Sequence, residues 1–154
     1  MQDFLKKACL EAKHGIDGGH GGPFGAVVVK DGTVIASGHN MVLASKDSTA
    51  HGEIVAIRKA EQILGTHDLS GCELYTTCYP CPMCLGAIMW ARISRVIYGS
   101  LPAMAAKVGF DDEAFYQAMA DPDNNKIVTM EYRASQECAA LFEQWLNSDK
   151  HELY

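Results

Sequence analysis

Two pairs of residues in this sequence have the types and the spacing of a metal site. His51 and Glu53 lie two apart in AHGEI, and Cys81 and Cys84 lie three apart in YPCPMC. Two cysteines with this spacing at a helix start face the same side, and the positive end of the helix dipole favours their thiolate form. A proline stands on each side of Cys81, where a fixed φ and a missing N–H suit the first helical turn. We therefore expect the prolines to fix the direction of the two sulfur atoms.

Zinc is the metal that these side chains predict. Two thiolates and one imidazole give three protein ligands, Cys81, Cys84 and His51, and leave the fourth tetrahedral position to water, as in catalytic zinc sites. His51 and Glu53 are roughly 200° apart around an ideal helix, so one ion cannot take both from within a regular helix. At a helix start, His51 can bind the metal while Glu53 accepts a proton from the bound water and returns it to a substrate nitrogen.

Each half of this pattern is weak when it stands alone. A lone C-x-x-C could be a redox motif or two thiols of the core, and a histidine two residues before a glutamate often occurs by chance. Together, in order, at two consecutive predicted helix starts with one strand between them, they match the H-x-E and P-C-x-x-C pattern typical of zinc deaminases that act on nucleobases. Hydrolytic deamination is therefore the hypothesis that the motifs favour.

The composition is that of one ordinary folded domain, residues 1–154. A chain of 154 residues that is 48% hydrophobic can bury a core without disulfides. The net charge is −6 and the basic residues are scattered, so we do not expect nucleic acid as a partner. No window approaches the ~18 apolar residues of a membrane span, and the first residues lack the apolar region of a secretory signal. We expect a cytoplasmic protein with reduced thiols and no membrane partner.

Helices and strands are predicted to alternate along the chain. β-branched runs predict five strands, the first two joined by an Asp31-Gly32 turn, at residues 24–30, 33–40, 72–78, 94–100 and 125–133. Apolar residues at helical spacing predict helices at residues 3–15, 50–65, 81–92, 112–120 and from Ser135 onward, with Thr49 as the cap of the second. This order predicts an α/β fold, with a partly parallel sheet and helices on both of its faces.

Several segments resemble the cytidine deaminase superfamily, and within it the small bacterial guanine deaminases. They are TAHGEIVAIRKA, LYTTCYPCPMCLGAIMWARISRVIYG, GGPFGAVVVKDG, VGFDDEAFY and the final tyrosine. The resemblance implies a three-layer α/β/α fold around a central mixed five-stranded sheet, with one zinc ion per subunit. It also implies a homodimer in which the C-terminal segment, about residues 135–154, crosses to the partner. The reaction that it implies is the hydrolysis of guanine to xanthine and ammonia.

The resemblance also assigns roles to the four residues of the two motifs. His51, Cys81 and Cys84 would bind the zinc ion, and Glu53 would carry the proton. Two positions depart from the family pattern. Glycine stands between His51 and Glu53 where alanine is common, a change too small to affect the ligands. Tyr79 stands where many relatives have glutamate, so we expect the substrate preference, or a hydrogen bond behind the ligands, to differ here.

Five residues are implied in substrate binding by the same resemblance. Asn40 would hydrogen-bond the base, Phe24 and Trp90 would bracket it, and Asp112 would hold the purine edge and act as a second proton-transfer group. Tyr154 would cap a site, that of the partner subunit. The residue types leave simpler alternatives open, because aromatic residues fill cores, asparagine forms turns and aspartate caps helices. The remaining histidines have no ligand-like spacing and are expected to be solvated or in loops; they are His14, His20, His39, His67 and His151.

Three other functions stay open. A tRNA adenosine deaminase would share the zinc residues, but it needs a basic surface that a net charge of −6 disfavours. A deaminase of guanosine, cytosine or an s-triazine would use the same zinc chemistry and differ only in the shape of its pocket. A structural zinc module would usually supply four protein ligands, and only three are found here.

Overall fold

A computed structural model describes residues 3–154, which divide after Tyr116 into two compact units. The first unit contains a four-stranded sheet in the order β2-β1-β3-β4. Its strands are β1 (Gly25–Lys30), β2 (Thr33–His39), β3 (Cys72–Thr76) and β4 (Arg95–Tyr98). Strand β1 pairs antiparallel with both β2 and β3, and β3 pairs parallel with β4. The prediction of an α/β fold with a partly parallel sheet is therefore confirmed.

The turn between β1 and β2 follows from its sequence. Asp31 and Gly32 both have positive φ, 49° and 72°, which is the backbone of a two-residue turn whose twist matches that of the strands. Lys30 pairs with Thr33 directly across it. The hairpin predicted from Asp31-Gly32 is confirmed.

Seven α-helices accompany the sheet in residues 3–154. They are α1 (Phe4–Asp17), α2 (Val42–Ser45), α3 (Gly52–Leu64), α4 (Pro82–Trp90), α5 (Pro102–Ala106), α6 (Glu113–Ala120) and α7 (Gln136–Leu146). A short 3-10 helix spans Pro122–Asn124. None of the helices described in residues 3–154 has the length and apolar character that crossing a membrane requires.

The sheet of the first unit is covered on both faces. Gly38 of β2 packs against Ala56 of α3, whereas its neighbours Ser37 and His39 form hydrogen bonds with Glu11 of α1. Successive residues of a strand point to opposite faces, so α1 and α3 lie on opposite sides of the sheet. Strand β1, at the centre of these layers, is buried along almost its whole length. The expected three layers are thus present in the first unit.

The fifth strand predicted for residues 125–133 does not form, and the described sheet has four strands rather than five. The segment is irregular, and its apolar side chains, such as Ile127, Met130 and Tyr132, are exposed. A β-branched run becomes a strand only where a neighbouring strand pairs with it and a packed surface covers one face. The sequence pattern shows the propensity of this segment but not the missing neighbour.

The second unit, residues 117–154, contains helix α7. Ser135 caps this helix, because its Oγ accepts a hydrogen bond from the Cys138 N–H at 3.1 Å. The helix predicted to start after Ser135 is therefore confirmed. Its large apolar side chains, Leu141, Phe142, Trp145 and Leu146, are all exposed in the single chain.

Candidate active site

Two helix starts bring the three candidate zinc ligands together. His51 stands at the N-cap position of α3, and Cys81 stands at the N-cap position of α4 with Pro82 as the first helical residue. Helix α3 thus begins after His51, and the prediction of Thr49 as its cap is wrong. His51 and Cys81 both have the extended backbone of a cap residue, and neither side chain forms a capping hydrogen bond. Cys84, one turn into α4, completes the group and is fully buried.

The spacing of the ligand atoms fits a zinc ion. His51 Nδ1 lies 3.5 Å from the Sγ atoms of both Cys81 and Cys84, and all three atoms lie within 4.8 Å of one another. Zinc binds cysteine sulfur at about 2.3 Å and histidine nitrogen at about 2.0–2.1 Å, so a tetrahedral ion holds the two atoms about 3.6 Å apart. The three side chains can therefore hold zinc with little movement.

Hydrogen bonds divide the protons of this group unevenly. The hydrogen bond from Cys84, helped by that from His51 and opposed by burial, lowers the pKa of the Cys81 thiol to about 4. The same bond, together with burial, raises the pKa of Cys84. The hydrogen bond with Cys81 raises the pKa of His51. A thiolate is the form of cysteine that binds metal, so the group already presents negative charge to a cation.

Glu53 lies beside the ligands in a nearly dry position. Glu53 is 5% exposed, and burial raises the pKa of its carboxyl group. The Thr76 hydroxyl donates to Glu53 Oε1 at 3.2 Å, and Cys84 Sγ lies 3.5 Å from Oε2. A buried carboxyl group with a raised pKa next to a metal site is suited to proton transfer. Sequence reasoning missed Thr76, whose only signal is its place at the end of β3.

A cavity of about 520 Å³ in the first unit opens onto these residues. Its lining is mainly apolar, with a few polar groups, as is usual for small-molecule sites. Six of the residues predicted for the site line the cavity: Phe24, Asn40, His51, Glu53, Cys81 and Asp112. A seventh, Cys84, joins His51 and Cys81 in the ligand group. Tyr79 also lines it, so the position that departs from the family pattern does face the cavity.

The polar and aromatic groups of the lining are held in defined orientations. Asn40 Oδ1 accepts a hydrogen bond from the Val42 N–H at 3.1 Å, which leaves the amide hydrogens of Asn40 for other partners. The rings of Phe24 and Phe110 meet edge to face, with centroids 5.0 Å apart. Burial raises the pKa of Asp112. Sequence reasoning missed Phe110, although it lies within the quoted segment VGFDDEAFY.

Trp90 and Tyr154 are not among the residues that line this cavity. Trp90 is the last residue of α4 and is 70% exposed. It stands about 13 Å along the helix axis from Cys81, because each helical residue adds about 1.5 Å. Tyr154 belongs to the second unit. Their roles at a substrate therefore stay predictions.

The layered α/β fold carries three side chains that can hold zinc, with a buried carboxyl group beside them at the wall of a cavity. These are the features of a zinc-dependent hydrolase. The family model of the cytidine and deoxycytidylate deaminase zinc-binding region matches residues 1–100, and the chain belongs to this family. The family expected from the motifs is confirmed, and so is its zinc cofactor.

Relatives match well beyond the zinc-binding region. Guanine deaminase of Bacillus subtilis (strain 168) is 47% identical over 146 residues, which cover 95% of this chain and 94% of the relative. The X-ray structure of guanine deaminase from Bacillus subtilis matches with a TM-score of 0.95 at 45% identity and covers 100% of this chain and 99% of that one. The tRNA-specific adenosine deaminase of Aquifex aeolicus (strain VF5) is 36% identical over 150 residues, 97% of this chain and 96% of the relative.

Proposed function

We propose that this protein hydrolyses guanine to xanthine and ammonia. The observation that carries the reaction type is Glu53, a buried carboxyl group that contacts the ligand Cys84 and lines the cavity above it. The choice of guanine is supported by the similarity to a guanine deaminase along nearly the whole of both chains.

His51, Cys81 and Cys84 would hold the zinc ion, which would supply an acidified water able to attack carbon near neutral pH. Glu53 takes one proton of the attacking water and delivers it to the ring nitrogen beside C2. It then takes the remaining hydroxyl proton and delivers it to the amine, which leaves C2 as ammonia when the C2–N bond breaks and the C2 oxygen becomes a carbonyl. The Thr76 hydroxyl holds the Glu53 carboxyl group in place through its hydrogen bond to Oε1.

The base is held by groups on the other walls of the cavity. Asn40 donates its amide hydrogens to an acceptor on the base, since its Oδ1 is engaged by Val42. The ring of Phe24 packs against the flat base. Asp112 accepts hydrogen bonds from the purine edge, and its raised pKa suits a second proton-transfer group.

The protein works as a homodimer, with residues 135–154 of each chain completing the site of its partner. Tyr154 then caps the partner's base, and the exposed Trp90, which lies outside the cavity of its own chain, brackets that same partner base. The exposed apolar side chains of α7 and of Trp90 support this arrangement, because large exposed apolar patches mark association surfaces. All six cysteines, which lie within the described residues, are free thiols, in keeping with the reducing cytoplasm.

The proposed substrate is tested by ammonia release from a panel of compounds by the zinc-loaded protein. The panel contains guanine, guanosine, cytosine, an s-triazine and an RNA anticodon stem-loop with adenosine at the wobble position. We expect guanine to have the highest kcat/KM. A higher value for any other compound would overturn guanine as the substrate, and a higher value for the stem-loop would favour deamination of tRNA adenosine, the activity named for the Aquifex relative.

Glu53→Gln is expected to bind zinc like the wild type and to lose turnover. Glutamine keeps the size of the side chain but cannot carry the proton, and general acid-base groups typically contribute at least about 10²-fold to the rate. The measurements are kcat for guanine and zinc content by atomic absorption. Near wild-type kcat with one zinc per chain would show that another group moves the proton.

A further inference from the structure

A row of hydrogen-bonded side chains lies outside the cavity lining, on the α1 side of the sheet. Ser37 Oγ donates to Glu11 Oε1 at 2.7 Å, and Glu11 Oε2 lies 3.2 Å from His39 Nδ1. His39 Nε2 in turn lies 2.8 Å from His20 Nδ1. We call Glu11, His39 and His20 the imidazole row. The zinc group and the proton shuttle make no use of it.

The acid end of the imidazole row has a fixed charge. Burial by itself raises the pKa of Glu11, but the hydrogen bonds of Ser37 and His39 and the positive charge of Lys59 outweigh it and lower that pKa. An ionised carboxylate only accepts hydrogen bonds, so His39 Nδ1 must be the donor to Glu11. The 2.8 Å between His39 Nε2 and His20 Nδ1 then holds a single hydrogen atom.

The rings of His20 and His39 connect the glycine-rich loop between α1 and β1 to the end of strand β2. The rings of His20 and His39 lie edge to edge and nearly coplanar, with centroids 5.1 Å apart and planes 19° apart. His39, at 8% exposure, is the last residue of β2, whereas His20 lies in the glycine-rich loop between α1 and β1. The expectation of a solvated or loop residue is therefore wrong for His39.

The residues that directly follow His20 and His39 in the chain both line the cavity. Asn40 follows His39, and Gly21 follows His20. A methyl group on Gly21 would overlap Asn40 Oδ1, so the loop backbone packs directly against that carboxamide. The His20 carbonyl also accepts hydrogen bonds from the N–H groups of Leu43 and Ala44 at 3.0 and 3.1 Å, and Leu43 lines the cavity.

We propose that Glu11, His39 and His20 are positioning residues for the substrate base. The imidazole row clamps the glycine-rich loop onto the end of β2 and so holds Asn40 at the angle from which it binds the base. This inference rests on the proposed function, because the base in question is guanine. Loss of the row raises KM and leaves the zinc group and Glu53, which lie on other elements, in place.

The test compares His20→Leu with His20→Asn. Leucine removes the hydrogen bond to His39, whereas the amide nitrogen of asparagine can take the position of Nδ1. We expect His20→Leu to raise KM for guanine about tenfold, the effect of one lost hydrogen bond, with kcat changed less than about twofold. His20→Asn should keep KM within about twofold of the wild type. All variants should bind one zinc per chain.

His14→Leu is the matched control. The ring of His14 contacts the rings of both His20 and His39 edge-on but forms no hydrogen bond with either, so this change should leave KM unaltered. Glu11→Gln serves as a second variant if His20→Leu does not fold, since the Glu11 side chain is 30% exposed and the change keeps its shape. We expect it to raise KM in the same direction.

Hydrogen exchange of the substrate-free protein separates this inference from the proposed function. The amides of Val42, Leu43 and Ala44, which bond to Asn40 or His20, should exchange faster in His20→Leu but not in His20→Asn. If the variants show this exchange pattern but the wild type releases no ammonia from guanine, guanine is rejected as the substrate and the role of the imidazole row in holding the loop is retained. Two results with an active wild type would overturn the positioning role: KM and exchange that are unchanged in His20→Leu, or KM and exchange that are raised as much in His20→Asn as in His20→Leu.

Discussion

The pKa values of two glutamates in the first unit are shifted in opposite directions. Glu53 is nearly fully buried, and burial raises its pKa. Glu11 is partly buried too, but the hydrogen bonds of Ser37 and His39 and the charge of Lys59 outweigh burial and lower its pKa. A raised pKa suits a group that exchanges protons, whereas a lowered pKa suits a permanent hydrogen-bond acceptor.

Glu11→Gln should reduce the dependence of stability on acid pH. The pKa of folded Glu11 lies below its ordinary value of 4.5, so the unfolded chain binds more protons and the ionised carboxylate stabilises the fold. This stabilisation is fully present above pH 4.5 and is lost as the pH falls through the lowered pKa. In calorimetry, the wild type should have the higher Tm at pH 7, and the difference should close in more acid solution. A difference that is constant down to about pH 3 would contradict this.

Some residues of the site could be predicted from the sequence because their spacing is local. Cys81 and Cys84 are three apart at a helix start, and His51 and Glu53 are two apart at another. The contact between His39 and Glu11 joins positions 28 apart in the chain, and no local pattern reports such a contact. Thr76, Phe110 and the imidazole row were missed for this reason.

The glycine-rich loop between α1 and β1 is an element without regular structure that shapes the cavity. Gly22 lies between two rings of the lining: a methyl group there would stand 2.8 Å from the Phe110 ring and 3.0 Å from the Phe24 ring. Contacts this short force a shift of the rings or of the loop. The absence of a side chain at Gly22 thus allows Phe24 and Phe110 to meet.

Gly22→Ala should raise KM for guanine several-fold, because the displaced rings no longer fit the base, while zinc content stays at one per chain. Gly86→Ala is the matched control: Gly86 lies inside α4 with open space around its Cβ position, so alanine should stabilise the helix and leave KM alone. The measurements are KM, zinc content and Tm. An unchanged KM for Gly22→Ala would show that the ring pair does not contact the base.

Helices and strands were predictable from the sequence where turn-forming or helix-capping residues mark their ends. Asp31-Gly32 marks the hairpin, Pro82 marks the start of α4, and Ser135 marks the cap of α7. The short helices α2 and α5 were not predicted, since four or five residues give too little periodicity. The failed strand at residues 125–133 shows the opposite error, a local propensity without a pairing partner.

In the proposed dimer, each chain would contribute to two active sites. Tyr154 is assigned to the partner's site and Glu53 to its own, so the two functions of one chain can be separated. This separation allows a test with two defective chains, because a mixed dimer would contain one complete site.

Tyr154→Ala mixed with Glu53→Gln should recover ammonia release that neither variant shows alone. In the mixed dimer, Tyr154 of the Glu53→Gln chain caps the intact zinc site of the other chain. The two variants are refolded together, and activity is compared with that of each variant refolded separately. Random pairing of equal amounts makes half of the dimers mixed, each with one complete site, so recovery is expected for about one quarter of the sites. No recovery from folded, zinc-loaded mixtures that are dimeric by light scattering would reject the exchange of C-terminal segments.

The pairing of the strands also sets when the metal site can form. Strands β1 and β2 are joined by two residues, whereas β1 meets β3 only when Lys30 pairs with Cys72. The hairpin can therefore close early, while His51 and Cys81 meet only after the long connection between β1 and β3 has closed. An ion that needs both ligands finds them together late in folding. Zinc should accordingly slow unfolding and leave the folding rate almost unchanged, and stopped-flow refolding with and without zinc would measure both rates.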